Sequence, residues 1–200
     1  MKKIAILASG SGSNFEAIVH AQKRRMFNAQ IALLLCDKKD AFCRVRAQRL
    51  KVKNIFIDPV NYSSRESFDA AVRDILKKEK IDLVVLAGYM RILSPVFIGA
   101  FKNKVINIHP ALLPAFKGGR AIKDAFDYGV KLTGVTVHFI DEKVDHGPII
   151  LQDTVVVKKG MNLKSLEAAI HKLEHQLYPI AIKLVLEGKV RIKGRRVQIK

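Results

Sequence analysis

Tryptophan is absent and aromatic residues make up only 7% of the chain, so there is no platform of rings on which unpaired bases could stack. Cysteine is nearly as scarce. Cys36 and Cys43 lack the second pair that a zinc site needs and form no disulfide framework, which suits a reducing compartment and argues against metal or redox chemistry. Long apolar runs are missing too. None approaches the roughly 18 residues of a membrane span, and the apolar start at residues 4–8 passes into Ser9-Gly10 rather than a signal-peptide core. The expectation is a cytoplasmic protein with no membrane partner and no metal. With 6 Pro, 12 Gly, 49% hydrophobic and 27% charged residues, disordered and collagenous chains are excluded, and the 200 residues are expected to fold as a single domain spanning 1–200.

Acidic residues are few, 18 against 36 basic, and the net charge of +18 attracts polyanions. Phosphates, polyglutamates and nucleic acid are all candidates. The charge is spread along the chain, concentrated only at residues 23–25, 77–80 and 189–200 and without interleaved aromatics. A solvated basic surface is therefore expected, and a nucleic-acid partner is not.

What is present is an alternation of short apolar runs and amphipathic segments. Apolar runs at residues 3–8, 30–35, 54–57, 81–87 and 105–108 read as buried strands, and 13–26, 41–50 and 64–78 as helices between them. In the last of these a polar first turn precedes a stripe of Phe68, Val72, Ile75 and Leu76. Beyond Thr133 the pattern changes to two long strands, 134–140 and 148–157, joined by a turn, then a helix at 163–186 and a basic hairpin around Lys193-Gly194. The fold class expected is α/β, an open, mostly parallel, Rossmann-like sheet with helices on both faces and an antiparallel C-terminal extension.

Three segments carry chemistry. Gly10-Ser11-Gly12-Ser13-Asn14 joins the first strand to the first helix, where backbone N–H groups and the helix dipole favour an anion such as a phosphate. A dinucleotide turn wants a small residue where Phe15 stands, although Asp37 sits where a ribose acid would, and a structural glycine turn remains open. Asn107 and His109 lie two apart on one side of a strand that ends at Pro110, at the carboxyl edge where open α/β sheets bind ligands; a hydrogen-bonded structural histidine is the alternative. Asp145 lies in the polar turn 141–148, where an acid is also an ordinary turn former. Together an amide, an imidazole and a carboxylate suit acyl transfer to an amine, with no strong nucleophile to form a covalent intermediate.

The GSGSN loop, LAGYMRILSP at residues 86–95, NIHPALLPAF at 107–116 and TGVTVHFIDEKVDHGPIIL at 133–151 closely resemble the phosphoribosylglycinamide formyltransferase family of purine synthesis. The resemblance runs from Lys3 to about Leu186. It implies formyl transfer from 10-formyltetrahydrofolate to the amine of glycinamide ribonucleotide, with catalysis by Asn107, His109 and Asp145. It implies further that Gly12, Ser13 and Asn14 hold the substrate phosphate and that Glu174 contacts the ribonucleotide. Folate binding falls to Arg65, to Met90, Arg91, Ile92 and Leu93, and to the loop that begins at Ile140 and Asp141 and ends at Asp145, with Asn107. The implied partners are small molecules, and the implied assembly is a monomer or homodimer.

Arg120 and Ile122 stand where relatives often have histidine, and His146 follows Asp145 where they often have a small residue; it is expected at the surface, the alternative being a further titrating group near the catalytic acid. Other 10-formyltetrahydrofolate-using formyltransferases or hydrolases are expected to be longer. A basic nucleic-acid-binding protein explains the charge but leaves Asn107, His109 and Asp145 without a purpose. A nicotinamide-dependent oxidoreductase is opposed by Phe15.

Overall fold

The computed structural model describes residues 1–200 and divides into two compact units, Met1–Ile106 and Asn107–Lys200. One seven-stranded sheet has the order β3 (Asn54–Phe56), β2 (Ala29–Cys36), β1 (Lys2–Leu7), β4 (Leu83–Leu86), β5 (Val105–His109), β6 (Leu132–Phe139), β7 (Ile149–Val156), and a separate two-stranded sheet pairs β8 (Val190–Lys193) with β9 (Arg196–Ile199).

In the first unit, β1 (Lys2–Leu7) pairs in parallel with β2 (Ala29–Cys36) on one side and β4 (Leu83–Leu86) on the other, and β2 pairs in parallel with β3 (Asn54–Phe56). These strands are near-continuous runs of Ile, Leu, Val and Ala because helices cover them: α1 (Ser13–Lys23) buries Phe15, Ile18 and Val19, and α3 (Arg65–Lys78) buries Phe68, Val72 and Leu76. A capping box starts α3, with the Ser64 hydroxyl accepting from Ser67 N–H at 3.1 Å and the Ser67 hydroxyl accepting from Ser64 N–H at 3.1 Å. The strand order reverses between β1 and β4, so the loops leaving their carboxyl ends stand side by side: Ser9 N–H donates to Gly88 O at 3.0 Å, and Met90 N–H to the Ser9 hydroxyl at 2.9 Å. Such a reversal leaves a crevice suited to ligands. Between β2 and β3 lies α2 (Phe42–Arg49), and α4 (Pro95–Ala100) follows β4. Cys36 and Cys43 are buried free thiols with sulfurs 3.6 Å apart.

The second unit opens within β5 (Val105–His109) and continues through α5 (Ala121–Tyr128) to the antiparallel pair β6 (Leu132–Phe139) and β7 (Ile149–Val156). The long α6 (Leu163–Leu186) packs on both β6 and β7. A capping box between Asn162 and Ser165 starts it. The hairpin β8 (Val190–Lys193) and β9 (Arg196–Ile199) closes the chain, with β9 against β7.

The expected mostly parallel α/β sheet with an antiparallel extension is therefore observed. Two short helices, α4 and α5, were not expected; each is a turn or two long, too brief for a 3.6-residue period to declare itself. The first helix ends at Lys23 rather than Met26, since Arg25 takes a left-handed φ of 60°. No helix is long and apolar enough to cross a membrane.

Candidate active site

The loop at residues 10–14 lies in the first unit. Gly12 is the N-cap of α1 with φ 75° and ψ 25°, and a Cβ there would lie 2.5 Å from the Cys43 Cβ, so only glycine fits. Asn14 is buried and Ser13 half-buried, both in the first turn of α1. Among the expected folate residues, Met90 and Ile92 are exposed while Leu93 is buried. The Arg91 guanidinium lies 4.3 Å from the Phe68 ring centroid. Arg65 starts α3 beside Glu66, whose carboxylate is held below its ordinary pKa by that residue's own backbone N–H and then by the Arg65 guanidinium.

The second unit gathers the three expected catalytic residues. The Asp145 carboxylate faces His109 Nδ1 at 3.4 Å, and the Phe116 carbonyl sits 2.8 Å from His109 Nε2. Both neighbours are acceptors, so each ring nitrogen of His109 faces an oxygen. The Asp145 oxygen nearest His109 also accepts from Gly118 N–H at 2.8 Å. Phe116 and Asp145 hold left-handed φ values of 49° and 47°, an unfavourable backbone that persists where surrounding contacts enforce it.

A fourth residue, His138, belongs to this cluster and was not anticipated. It is fully buried on β6. Its Nδ1–H donates to Phe139 O at 2.8 Å. Burial pushes its pKa below the ordinary value, outweighing the upward pull of the Phe139 carbonyl and of Asp145, so its Nε2 carries a lone pair. That nitrogen accepts from Asn107 Nδ2 at 3.3 Å, which fixes which end of the amide points inward. A signal was available. On β6, Thr136 and His138 alternate with Val135, Val137 and Phe139, the same two-residue spacing that singled out Asn107 and His109. Thr136 is also structural: its hydroxyl donates to Ala111 O at 2.7 Å and accepts from Leu113 N–H at 3.0 Å and Gln152 Nε2 at 2.9 Å, tying the segment after β5 to β6 and β7.

The loop between β6 and β7 carries Ile140, Asp141 and Asp145. Asp141 accepts from Lys143 N–H at 3.0 Å and from His146 Nδ1 at 2.7 Å. His146, expected at the surface, is instead half-buried and paired with Asp141, with Arg195 of the terminal hairpin 3.1 Å from its Nε2. Gly147 ends the loop where a Cβ would lie 1.8 Å from Phe139 O. Glu174 is buried on α6 and accepts from His171 Nδ1 at 2.8 Å, which raises the His171 pKa. Arg120 is exposed and lies 3.5 Å from Asp124.

The formyl transferase family model matches residues 2–182. A phosphoribosylglycinamide formyltransferase of Bacillus subtilis (strain 168) is 44% identical over 186 residues, 93% of this chain and 95% of that one. The trifunctional purine biosynthetic protein adenosine-3 of Gallus gallus is 40% identical over 190 residues, which is 95% of this chain and 19% of the longer protein. Among solved structures, glycinamide ribonucleotide transformylase 1 from Symbiobacterium toebii has a TM-score of 0.97 at 44% identity, covering 100% of this chain and 94% of that one. Matched by that family model over residues 2–182 and by relatives in sequence and fold over nearly its whole length, the chain belongs to the formyl transferase family, among the phosphoribosylglycinamide formyltransferases.

Proposed function

We propose that the chain transfers the formyl group of 10-formyltetrahydrofolate to the amine of glycinamide ribonucleotide in purine biosynthesis, directly and through a tetrahedral intermediate. The substrate amine attacks the formyl carbon. Asn107 donates a hydrogen bond to the oxygen that gains negative charge, protonated His109 turns its Nε2–H from the Phe116 carbonyl to that same oxygen, and Asp145 holds the ring at Nδ1 and electrostatically supports it. The amine's proton passes, through His109 and water, to the folate nitrogen, which leaves as the carbonyl re-forms. His138 acts one step back, as the acceptor that aims the Asn107 amide.

Gly12, Ser13 and Asn14 take the phosphate, and Glu174 contacts the ribonucleotide. Arg65, Met90, Arg91, Ile92 and Leu93 bind the folate, with Asn107, Ile140, Asp141 and Asp145. No metal enters this chemistry, because charge on the oxyanion is met by hydrogen-bond donors. Both units serve one formyltransferase domain, a reading supported by a family model that runs through the boundary between them.

The observation that carries the proposal is the pairing of His109 with a carboxylate on one nitrogen and a carbonyl on the other, next to an amide of fixed orientation and with no nucleophilic side chain in the cluster. The test is the absorbance change on mixing 10-formyltetrahydrofolate with glycinamide ribonucleotide. Turnover that requires the ribonucleotide supports the reading. Equal turnover with water alone or with tRNA would reassign the reaction.

A further inference from the structure

The anion loop at residues 10–14 is shaped from below by α2. Cys43 N–H, in the first turn of that helix, donates to Gly10 O at 3.0 Å, and Arg46 Nε–H donates to Ser11 O at 2.9 Å. In a planar trans peptide the carbonyl and the N–H of one unit point in opposite directions. Holding the Gly10 carbonyl on α2 therefore turns the Ser11 N–H away from α2. Holding the Ser11 carbonyl on Arg46 does the same to the Gly12 N–H. Gly12 lies directly on Cys43, and its own carbonyl accepts from Glu16 N–H at 3.0 Å as α1 begins.

Arg46 is itself fixed on three sides. Besides Ser11 O, its guanidinium pairs with the Glu16 carboxylate on α1 and stands 4.9 Å from the Phe42 ring centroid, and its side chain is only 22% exposed. A planar fork donates to two acceptors in fixed directions at once, which a lysine ammonium on a flexible stem does not reproduce.

We infer that Arg46 is a positioning residue for the ribonucleotide: it sets the direction in which the loop presents its N–H groups and so determines phosphate affinity, without touching the reacting atoms. This rests on the reading that the loop holds the substrate phosphate. Arg46→Ala frees the Ser11–Gly12 peptide to rotate, so the bound phosphate loses a donor that is no longer held in place.

The test measures Michaelis constants for both substrates and the inhibition constant of inorganic phosphate against the ribonucleotide, in Arg46→Ala, Arg46→Lys and two loop variants, Gly12→Ala and Asn14→Ala. For Arg46→Ala we expect the ribonucleotide KM and the phosphate inhibition constant to rise together by roughly 10- to 150-fold, the scale of one hydrogen bond to a charged group. The folate KM and kcat at saturation should stay within about twofold. Arg46→Lys should recover only part of the loss. Equal rises in both KM values, or a fall in kcat with unchanged KM, would mean a merely structural role and overturn the inference. An unchanged ribonucleotide KM in Arg46→Ala beside a raised one in Asn14→Ala would overturn it while leaving the loop reading intact. If neither loop variant changes the ribonucleotide KM, the phosphate assignment itself fails and the inference with it. Asn14→Ala keeps that arm informative should the Cβ at Gly12 prevent folding.

Discussion

Replacing Asp145 by asparagine removes one unit of charge from beside His109 while preserving shape. The nearer carboxylate oxygen is 3.4 Å from Nδ1, and both side chains are almost fully buried. At an effective dielectric of about 20, a carboxylate and an imidazolium at that separation attract by about 5 kcal/mol. Desolvation of the histidine is common to both variants, and an amide oxygen retains part of the attraction, so about 2–4 kcal/mol of transition-state support is lost. That corresponds to a roughly 30- to 1,000-fold fall in kcat/KM. Steady-state kinetics on purified protein, with circular dichroism and thermal unfolding to confirm the fold, gives the number. Combining Asp145→Asn with His109→Ala should cost much less than the product of the single losses, because both act through one imidazole. A folded Asp145→Asn enzyme with near-normal turnover, or fully multiplicative losses in the double variant, would refute the reasoning.

His138→Gln should lower kcat roughly tenfold or more by releasing the Asn107 amide, and it should also flatten the acid limb of stability. Because burial holds the folded-state pKa of His138 below its ordinary 6.5, the unfolded chain takes up the proton first, so native stability falls as pH drops below about 6.5; thermal melts of wild type and variant between neutral and acid pH compare the two. His171, raised by Glu174, works in the opposite sense, its support being complete below about 6.5 and lost as pH rises through its folded-state pKa. Gly147→Ala should lower Tm by several degrees, since overpacking costs about 1–3 kcal/mol, and should disturb the loop carrying Asp145; calorimetry checks it. Raising salt should lower the association rate of the anionic substrates by screening the +18 charge, whose fields reach about 8 Å at physiological ionic strength, with kcat barely changed in stopped-flow and steady-state measurements.

The parallel half of the fold was legible because its strands are unbroken apolar runs and its helices carry clear stripes, as in Phe68, Val72 and Leu76. The helix α6 has the expected ends, Leu163–Leu186, with Asn162 as its N-cap. The helix α5 was missed: eight residues, from Ala121 to Tyr128, give two turns, and its end is marked chiefly by the left-handed Gly129. In the site, Asn107, His109 and Asp145 were readable as polar residues in apolar or turn settings. The backbone partners were not. Phe116 O and Gly118 N–H become ligands of His109 and Asp145 through left-handed turns that no side chain announces. His138 was legible by its spacing from Thr136, but its role follows only from the placement of its ring nitrogens between Phe139 O and Asn107. The Asp141 partnership of His146 likewise depends on a loop closing over five residues.

The central claim is direct formyl transfer, and a single-turnover reaction with folate labelled by carbon-13 at the formyl carbon tests it most directly. The account predicts that the label appears in the amide of the ribonucleotide product at the rate at which folate is consumed, with the intact-protein mass unchanged throughout. Label accumulating on the protein as an acyl adduct, or released as formate without entering the ribonucleotide, would contradict it.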